Sequence, residues 1–258
     1  MSFVKPHRVF EVQNVSLNTR ISSVNLQIES GQCWHFLGPN GAGKSSLLLL
    51  LAGVEKASSG VLDCCGMEMS EHSLSQLAKT RCFLNQHQHC EFDIPLSQLL
   101  MFYAQRAEVP ALLDTCLEIN KYLHKPLSQL SGGQQQRFHI ARALCQIWTA
   151  ICAGQAIVIL DEPTSHLDIK FQTAIMALLQ NLCESGNTVI ISSHDINLSI
   201  KYASHVGLVN KQKLHSQGFA QSQLNLINLQ TIFNHKFIEI SSAEQSHKYI
   251  VSSSNQSI

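Results

Sequence analysis

Neither sign of charge is in excess in this chain. Eighteen lysines and arginines balance eighteen aspartates and glutamates in 258 residues, and only 14% of the side chains are charged. Proteins that grip a nucleic-acid backbone carry a basic surplus; its absence argues against nucleic acid as a partner. No C-x-x-C pair occurs among the nine cysteines. An odd count without paired spacing fits free, mostly buried thiols in a reducing compartment rather than a disulfide framework. His87, His89 and Cys90 form a short group of ligand-type side chains with no second half elsewhere, and they read as ordinary residues rather than a metal site. The first ten residues, MSFVKPHRVF, lack the apolar core of a secretory signal. Ala143 to Leu160 carries no charge and approaches the length of a membrane span. Gln146, Thr149, Gly154 and Gln155 interrupt it, however, and Asp161 and Glu162 end it. It reads as a helix end, a glycine-containing loop and a buried strand. A role at a membrane therefore calls for a partner that spans it.

What is present suits one large domain with room for a small subdomain: 45% of residues are hydrophobic. Val9–Leu17 and Val24–Ile28 alternate apolar and polar residues, as half-buried antiparallel strands do. Gln32–Leu37 and Arg81–Asn85 read as short strands, and Lys44–Gly53 as a buried helix with a glycine stop. From Ile94 to Leu130 the spacing is helical, with Leu96, Leu99, Leu100 and Tyr103 on one side; Pro95, Pro110 and Pro126 cut the segment into short helices. Gln134–Cys145 is a further helix. Ile157–Leu160 and Thr188–Ser192 have the continuous apolar character of parallel strands, with a helix over Asp168–Glu184 between them, a β-α-β unit. From about Gln217 the chain is polar and reads as less regular. No internal repeat is visible.

The strongest single feature is Gly38-Pro39-Asn40-Gly41-Ala42-Gly43-Lys44-Ser45, which fits G-x-x-x-x-G-K-[ST] between a strand and a helix. Glycines let the backbone wrap phosphate oxygens so that successive N–H groups form an anion nest. The following helix aims its positive end at the same place. Lys44 can reach the β- and γ-phosphates, and the Ser45 hydroxyl can ligate Mg²⁺. Farther along, Ile157-Val158-Ile159-Leu160 ends in Asp161-Glu162, placing two carboxylates where α/β sheets bind their ligands. Asp161 suits the metal, and Glu162 suits a base that polarises a water toward the γ-phosphate. A second glycine motif, Leu130-Ser131-Gly132-Gly133-Gln134-Gln135-Gln136-Arg137, opens a helix. Ser131 can be a plain cap, or the glycine amides can face an anion.

Taken in order, the phosphate loop, Gln86, the LSGGQQQR motif, the ILDEP strand end, Ser165-His166-Leu167-Asp168 and His194 resemble the ATP-binding cassette family over about residues 9 to 215. The resemblance implies an α/β P-loop NTPase fold: a mixed sheet core, an antiparallel β subdomain and a small helical subdomain at about 87–145. A C-terminal tail from about 217 to 258 would pack on that single 1–258 domain. It implies ATP and Mg²⁺ as cofactors, with Ser46 joining residues 38–45 at the nucleotide. Two copies would sandwich two ATP molecules, Ser131, Gly132, Gly133 and Gln134 of each copy facing the nucleotide of the other. Gln86 would sense metal and water, Asp168 would couple the copies, and His194 would hold the γ-phosphate. As single residues these have plainer readings: a surface amide for Gln86, a helix cap for Asp168, and a cap before Asp195 for His194. The family usually stacks an aromatic residue on adenine ahead of the phosphate loop, but Ser16-Leu17-Asn18-Thr19-Arg20 has none; Arg20 is the candidate replacement.

Within the family, several features resemble the ATPase subunits of vitamin B12 importers, although haem and iron-chelate importers share much of the pattern. They are Asn18-Thr19-Arg20, the insertion Gln146 to Gln155, the short stretch between Gln86 and the LSGGQQQR motif, and Ser192-Ser193-His194-Asp195. The expectation is an ATPase peripheral to the cytoplasmic face of the inner membrane. It would work with two transmembrane permease subunits and, through them, a periplasmic binding protein. Soluble non-transport cassette ATPases form the competing class. They usually carry two cassettes or long coiled-coil insertions, and neither is present.

Overall fold

A computed structural model describes residues 7–86, 93–241 and 248–253. Two sheets face each other across one helix. The first is antiparallel, with strand order β2-β1-β4-β5, built from β1 (Arg8–Leu17), β2 (Ile21–Glu29), β4 (Ser59–Cys64) and β5 (Met67–Glu68). The second contains β3 (Cys33–Leu37), β6 (Arg81–Leu84), β7 (Ile157–Asp161), β8 (Thr188–Ser193), β9 (His205–Asn210) and β10 (Lys213–Phe219). Its order is β10-β9-β3-β8-β7-β6, parallel throughout except for the β9–β10 hairpin at one edge.

Burial explains the different sequence textures of the two sheets. From Val24 to Glu29 in β2 buried and exposed residues alternate strictly, since one face meets water. In β3, β7 and β8 every residue is buried, and the strands are dominated by apolar residues because both faces are covered. The helix α1 (Lys44–Leu51) lies between the sheets and buries Leu47, Leu48, Leu50 and Leu51. Such a helix needs apolar residues around its whole circumference rather than one stripe. The crossover helix α7 (Ile169–Glu184) buries Ile175, Met176, Leu178, Leu179 and Leu182 on its inner face.

Between β6 and β7 lies a helical region, preceded by α2 (Leu74–Thr80). It contains α3 (Leu96–Ala104), α4 (Ala111–Leu117), α5 (Gly132–Gln146) and α6 (Trp148–Cys152). Pro95 and Pro110 stand as the N-caps of α3 and α4, so the prolines divide this segment as expected. Tyr103 departs from expectation. Leu96, Leu99 and Leu100 are buried, but Tyr103 is 44% exposed, with the Arg142 guanidinium 4.3 Å over its ring. The stretch Gln146–Gln155, expected as a loop, contains α6 because Ala150 and Ile151 bury against the core, and Gly154 at φ 67° stops it.

The chain after Gln217 is more regular than its polar composition predicted. Following α8 (Ile196–Tyr202), β9 and β10 come α9 (Ala220–Gln223), α10 (Leu226–Phe233) and a hairpin of β11 (Phe237–Ser241) and β12 (Lys248–Ser252). Ala220, Leu224, Leu229, Ile232 and Ile250 form a small core with Leu37, Val206 and Leu208. A handful of apolar residues at helical spacing suffices to anchor an otherwise polar segment. No described helix is long and apolar enough to cross a membrane. The eight described cysteines are free, five of them buried. The residues His87, His89 and Cys90 lie outside those described.

Candidate active site

The phosphate loop connects the end of β3 to the start of α1, at the carboxyl edge of the parallel sheet. Its glycines are dictated by neighbours. A Cβ on Gly38 would stand 1.9 Å from the Val209 carbonyl oxygen, and one on Gly43, at φ 108°, 2.7 Å from the Arg20 carbonyl oxygen. Gly43 is also the N-cap of α1, and no side chain caps that end, so the first-turn amides suit an anion. Lys44 is buried, and its Nζ donates to the carbonyls of Gly38 at 2.8 Å and Pro39 at 3.2 Å. Burial holds its pKa below the ordinary lysine value, opposed by the charges of Glu162 and Asp161.

Asp161 is the last residue of β7, paired in register with Ser192 of β8. The Ser192 hydroxyl donates to Asp161 Oδ1 and accepts the Glu162 N–H at 2.9 Å. Asp161 is 1% exposed, and its Oδ2 has no hydrogen-bond partner. Just beyond the strand the chain turns sharply. Glu162 takes a left-handed backbone at φ 49°, a conformation that costs about 1–3 kcal/mol for a non-glycine residue and collects at functional sites. Two hydrogen bonds from Ser165, its N–H at 3.2 Å and its hydroxyl at 2.9 Å, hold the Glu162 carbonyl. The Glu162 carboxylate accepts from Gln86 Nε2 at 3.0 Å and lies 3.6 Å from His194 Nδ1.

A cavity of about 650 Å³ brings residues 40–46 together with Gln86, Glu162 and His194, whereas Asp161 is buried and is not among its lining residues. Gly38 and Pro39 are not among its lining residues but supply the carbonyls that hold Lys44. Ser131, Gly132, Gly133 and Gln134 are not part of it. Ser131 caps α5 in a reciprocal pair with Gln134, accepting its N–H at 3.4 Å while Gln134 Oε1 accepts the Ser131 N–H at 2.9 Å. A Cβ on Gly133 would come 3.0 Å from the His166 carbonyl oxygen, whereas Gly132 has open space. The plain cap reading holds for Asp168, which caps α7 through the Phe171 N–H. Before α8 the cap is Asp195 itself, which leaves His194 free to face Glu162.

Three further residues line the cavity. Thr19 and Arg20 come from the turn before β2, and Gln212 from the β9–β10 hairpin. Arg20 also pairs with Glu55 at 2.8 Å. Sequence reasoning missed Gln212, for a physical reason. Lys211 and Gln212 both have positive φ, 46° and 57°, as in the two-residue hairpin turns that favour Asn-Gly, and neither residue signals such a turn. Gln212 is tied closely to the loop: its N–H donates to the Ala42 carbonyl at 3.0 Å and its side chain to the Gly41 carbonyl at 3.3 Å. Gln212→Gly removes the side-chain bond and relieves the strained φ. It is expected to melt no lower than wild type but to bind ATP more weakly by about 0.5–1.5 kcal/mol, the range for one hydrogen bond. Calorimetric titration checks this, and unchanged affinity contradicts it.

With this geometry in place, the ABC transporter family profile matches residues 21–165. The chain belongs to the ABC transporter family. Vitamin B12 import ATP-binding protein BtuD of Yersinia pestis is 35% identical over 236 residues, covering 89% of this chain and 93% of the relative. Hemin import ATP-binding protein HmuV of Hahella chejuensis is 34% identical over 222 residues, covering 83% and 87%. Among solved structures, a chain of a metal-chelate type ABC transporter in an inward-facing conformation superposes with a TM-score of 0.79 at 23% identity, covering 98% of this chain and all of that one. A dimeric bacterial ABC transporter cassette superposes at 0.67 with 25% identity, covering 82% and 98%. The fold is that of the ABC ATPases, and the chain is an ATP-binding, ATP-hydrolysing transport enzyme of this family.

Proposed function

We propose that this chain is the ATP-hydrolysing subunit of a membrane importer of vitamin B12. The observation that carries the catalytic reading is the convergence of Lys44, Gln86, Glu162 and His194 on one cavity at the phosphate loop. In this reading the amides of residues 40–46 and the Lys44 ammonium hold the β- and γ-phosphates. Glu162 takes a proton from a water as that water's oxygen attacks the γ-phosphorus, and the bond to the ADP oxygen breaks. His194 donates to the γ-phosphate, and Gln86 orients Glu162 and the water. Most of the acceleration comes from positioning and charge compensation. Mg²⁺ fits the donor set, because Asp161 Oδ2 is buried without a partner and Ser45 and Gln86 on the cavity wall carry neutral oxygens; when bound, the ion would neutralise phosphate charge.

Ser131, Gly132, Gly133 and Gln134 lie outside the chain's own cavity, which supports a homodimer in which they reach the γ-phosphate held by the other copy. The exposed side chains Met101, Phe102 and Tyr103 on α3 are a suitable docking face for a permease subunit, reached from Gln86 along the chain. In this reading the protein sits at the cytoplasmic face of the inner membrane, peripheral to two permease subunits and, through them, to a periplasmic binding protein.

Vitamin B12 is favoured as cargo by BtuD relatives from Yersinia and Vibrio at 31–35% identity. Haem is the second reading, supported by the HmuV relative at 34%. Uptake of labelled cobalamin and of haemin in cells lacking the gene separates them. Loss of cobalamin uptake alone is expected; loss of haemin uptake alone transfers the assignment.

A further inference from the structure

We propose that Ser192 is a positioning residue that sets both acids of the catalytic centre with one hydroxyl. The inference rests on the reading that Asp161 meets the metal and Glu162 the water. A serine hydroxyl has one proton to give and two lone pairs. Here the proton goes to Asp161 Oδ1, and a lone pair takes the main-chain N–H of Glu162 at 2.9 Å. Ser192 is fully buried, with 0% exposure, so no solvent competes for either bond.

Two consequences follow. The hydroxyl satisfies one carboxylate oxygen of Asp161 and leaves Oδ2 as the oxygen without a partner, so it selects which oxygen is offered to a cation and fixes the rotation of the carboxylate. It also ties down the peptide N–H at the point where Glu162 enters its left-handed conformation at φ 49°. An alanine would orphan a buried carboxylate oxygen and a part-buried N–H together, each otherwise costly. The register of β7 and β8 makes the arrangement possible, since Asp161 and Ser192 are direct partners across a parallel pair. Ser193, next along the strand, serves a different bond, accepting the Asp195 N–H at 3.0 Å.

The test is Mn²⁺ binding to the ATP complex, followed by electron paramagnetic resonance, for the wild type, Asp161→Asn, Ser192→Ala, Ser192→Cys and Ser192→Thr. ATP affinity measured in EDTA reports whether each variant folds around the nucleotide. Ser192→Ala is expected to weaken Mn²⁺ binding by roughly ten- to a hundredfold, the range for supporting residues of metal sites, with ATP affinity in EDTA unchanged. Ser192→Thr, which keeps the hydroxyl, restores most of it. Ser192→Cys keeps the volume with a weaker donor and falls between; it serves if the alanine variant does not fold. Normal Mn²⁺ affinity in both the alanine and cysteine variants, with Asp161→Asn impaired, overturns the role of Ser192. Normal affinity in Asp161→Asn overturns instead the metal reading on which it rests.

Discussion

Glu162→Gln is expected to bind Mg-ATP with near-wild-type affinity and to hydrolyse it about 10²–10⁴ times more slowly, the contribution typical of a positioned general base. The substitution keeps the shape of the side chain and an oxygen to accept from Gln86 Nε2, so the contact at 3.0 Å survives. What it removes is the basic oxygen and one negative charge facing the phosphates. In the proposed dimer, ATP that is cleaved so slowly holds two copies together, because the γ-phosphate that Ser131 and Gly133 would reach stays in place. Steady-state turnover and size-exclusion chromatography with ATP read both effects: slow turnover and a dimer stable on the column. Turnover at the normal rate removes Glu162 from the role of base.

Lys44→Ala is expected to lose affinity for ATP by about 1.5–3 kcal/mol, the range for hydrogen bonds to charged groups. The ammonium is the cation that the loop itself brings to the cavity, and burial already works against its charge. Such a cation is held in place to meet phosphate, and the carbonyls of Gly38 and Pro39 keep it there. The effect is specific to the distal phosphates, so AMP affinity changes little while ADP and ATP affinity fall. Titration of the three nucleotides into one variant checks this, with AMP as the internal control. Equal losses for all three point to a collapsed loop rather than a missing contact.

The elements most legible in the sequence are those whose physics is local. The alternation over residues 24–29 of β2, the apolar centres of β7 and β8, and the prolines before α3 and α4 each follow from burial on one face, burial on both faces, or a fixed φ. The phosphate loop is legible for the same reason: Gly38 and Gly43 answer close approaches that only glycine survives. What escaped the sequence depends on tertiary partners. The helix α6 exists because Ala150 and Ile151 find a core to enter, and the polar tail is ordered by a few residues that reach Leu37, Val206 and Leu208. Arg20 could be named for the cavity from its place ahead of the loop, but its partner Glu55 could not. Gln212 hides in a turn whose residues do not announce it. Ser192 looked like one more member of a buried strand until the register set its hydroxyl between Asp161 and Glu162.

The most direct measurement of the central claim is an experimental structure of Glu162→Gln with Mg-ATP. The account predicts a dimer with terminal phosphates within hydrogen-bond reach of Lys44 Nζ and the amides of residues 41–45, Asp161 Oδ2 turned toward the metal, and the second copy's Ser131 and Gly133 at the γ-phosphate. A nucleotide seated elsewhere, or an occupied loop with Asp161 and residue 162 turned away from the phosphates, contradicts it.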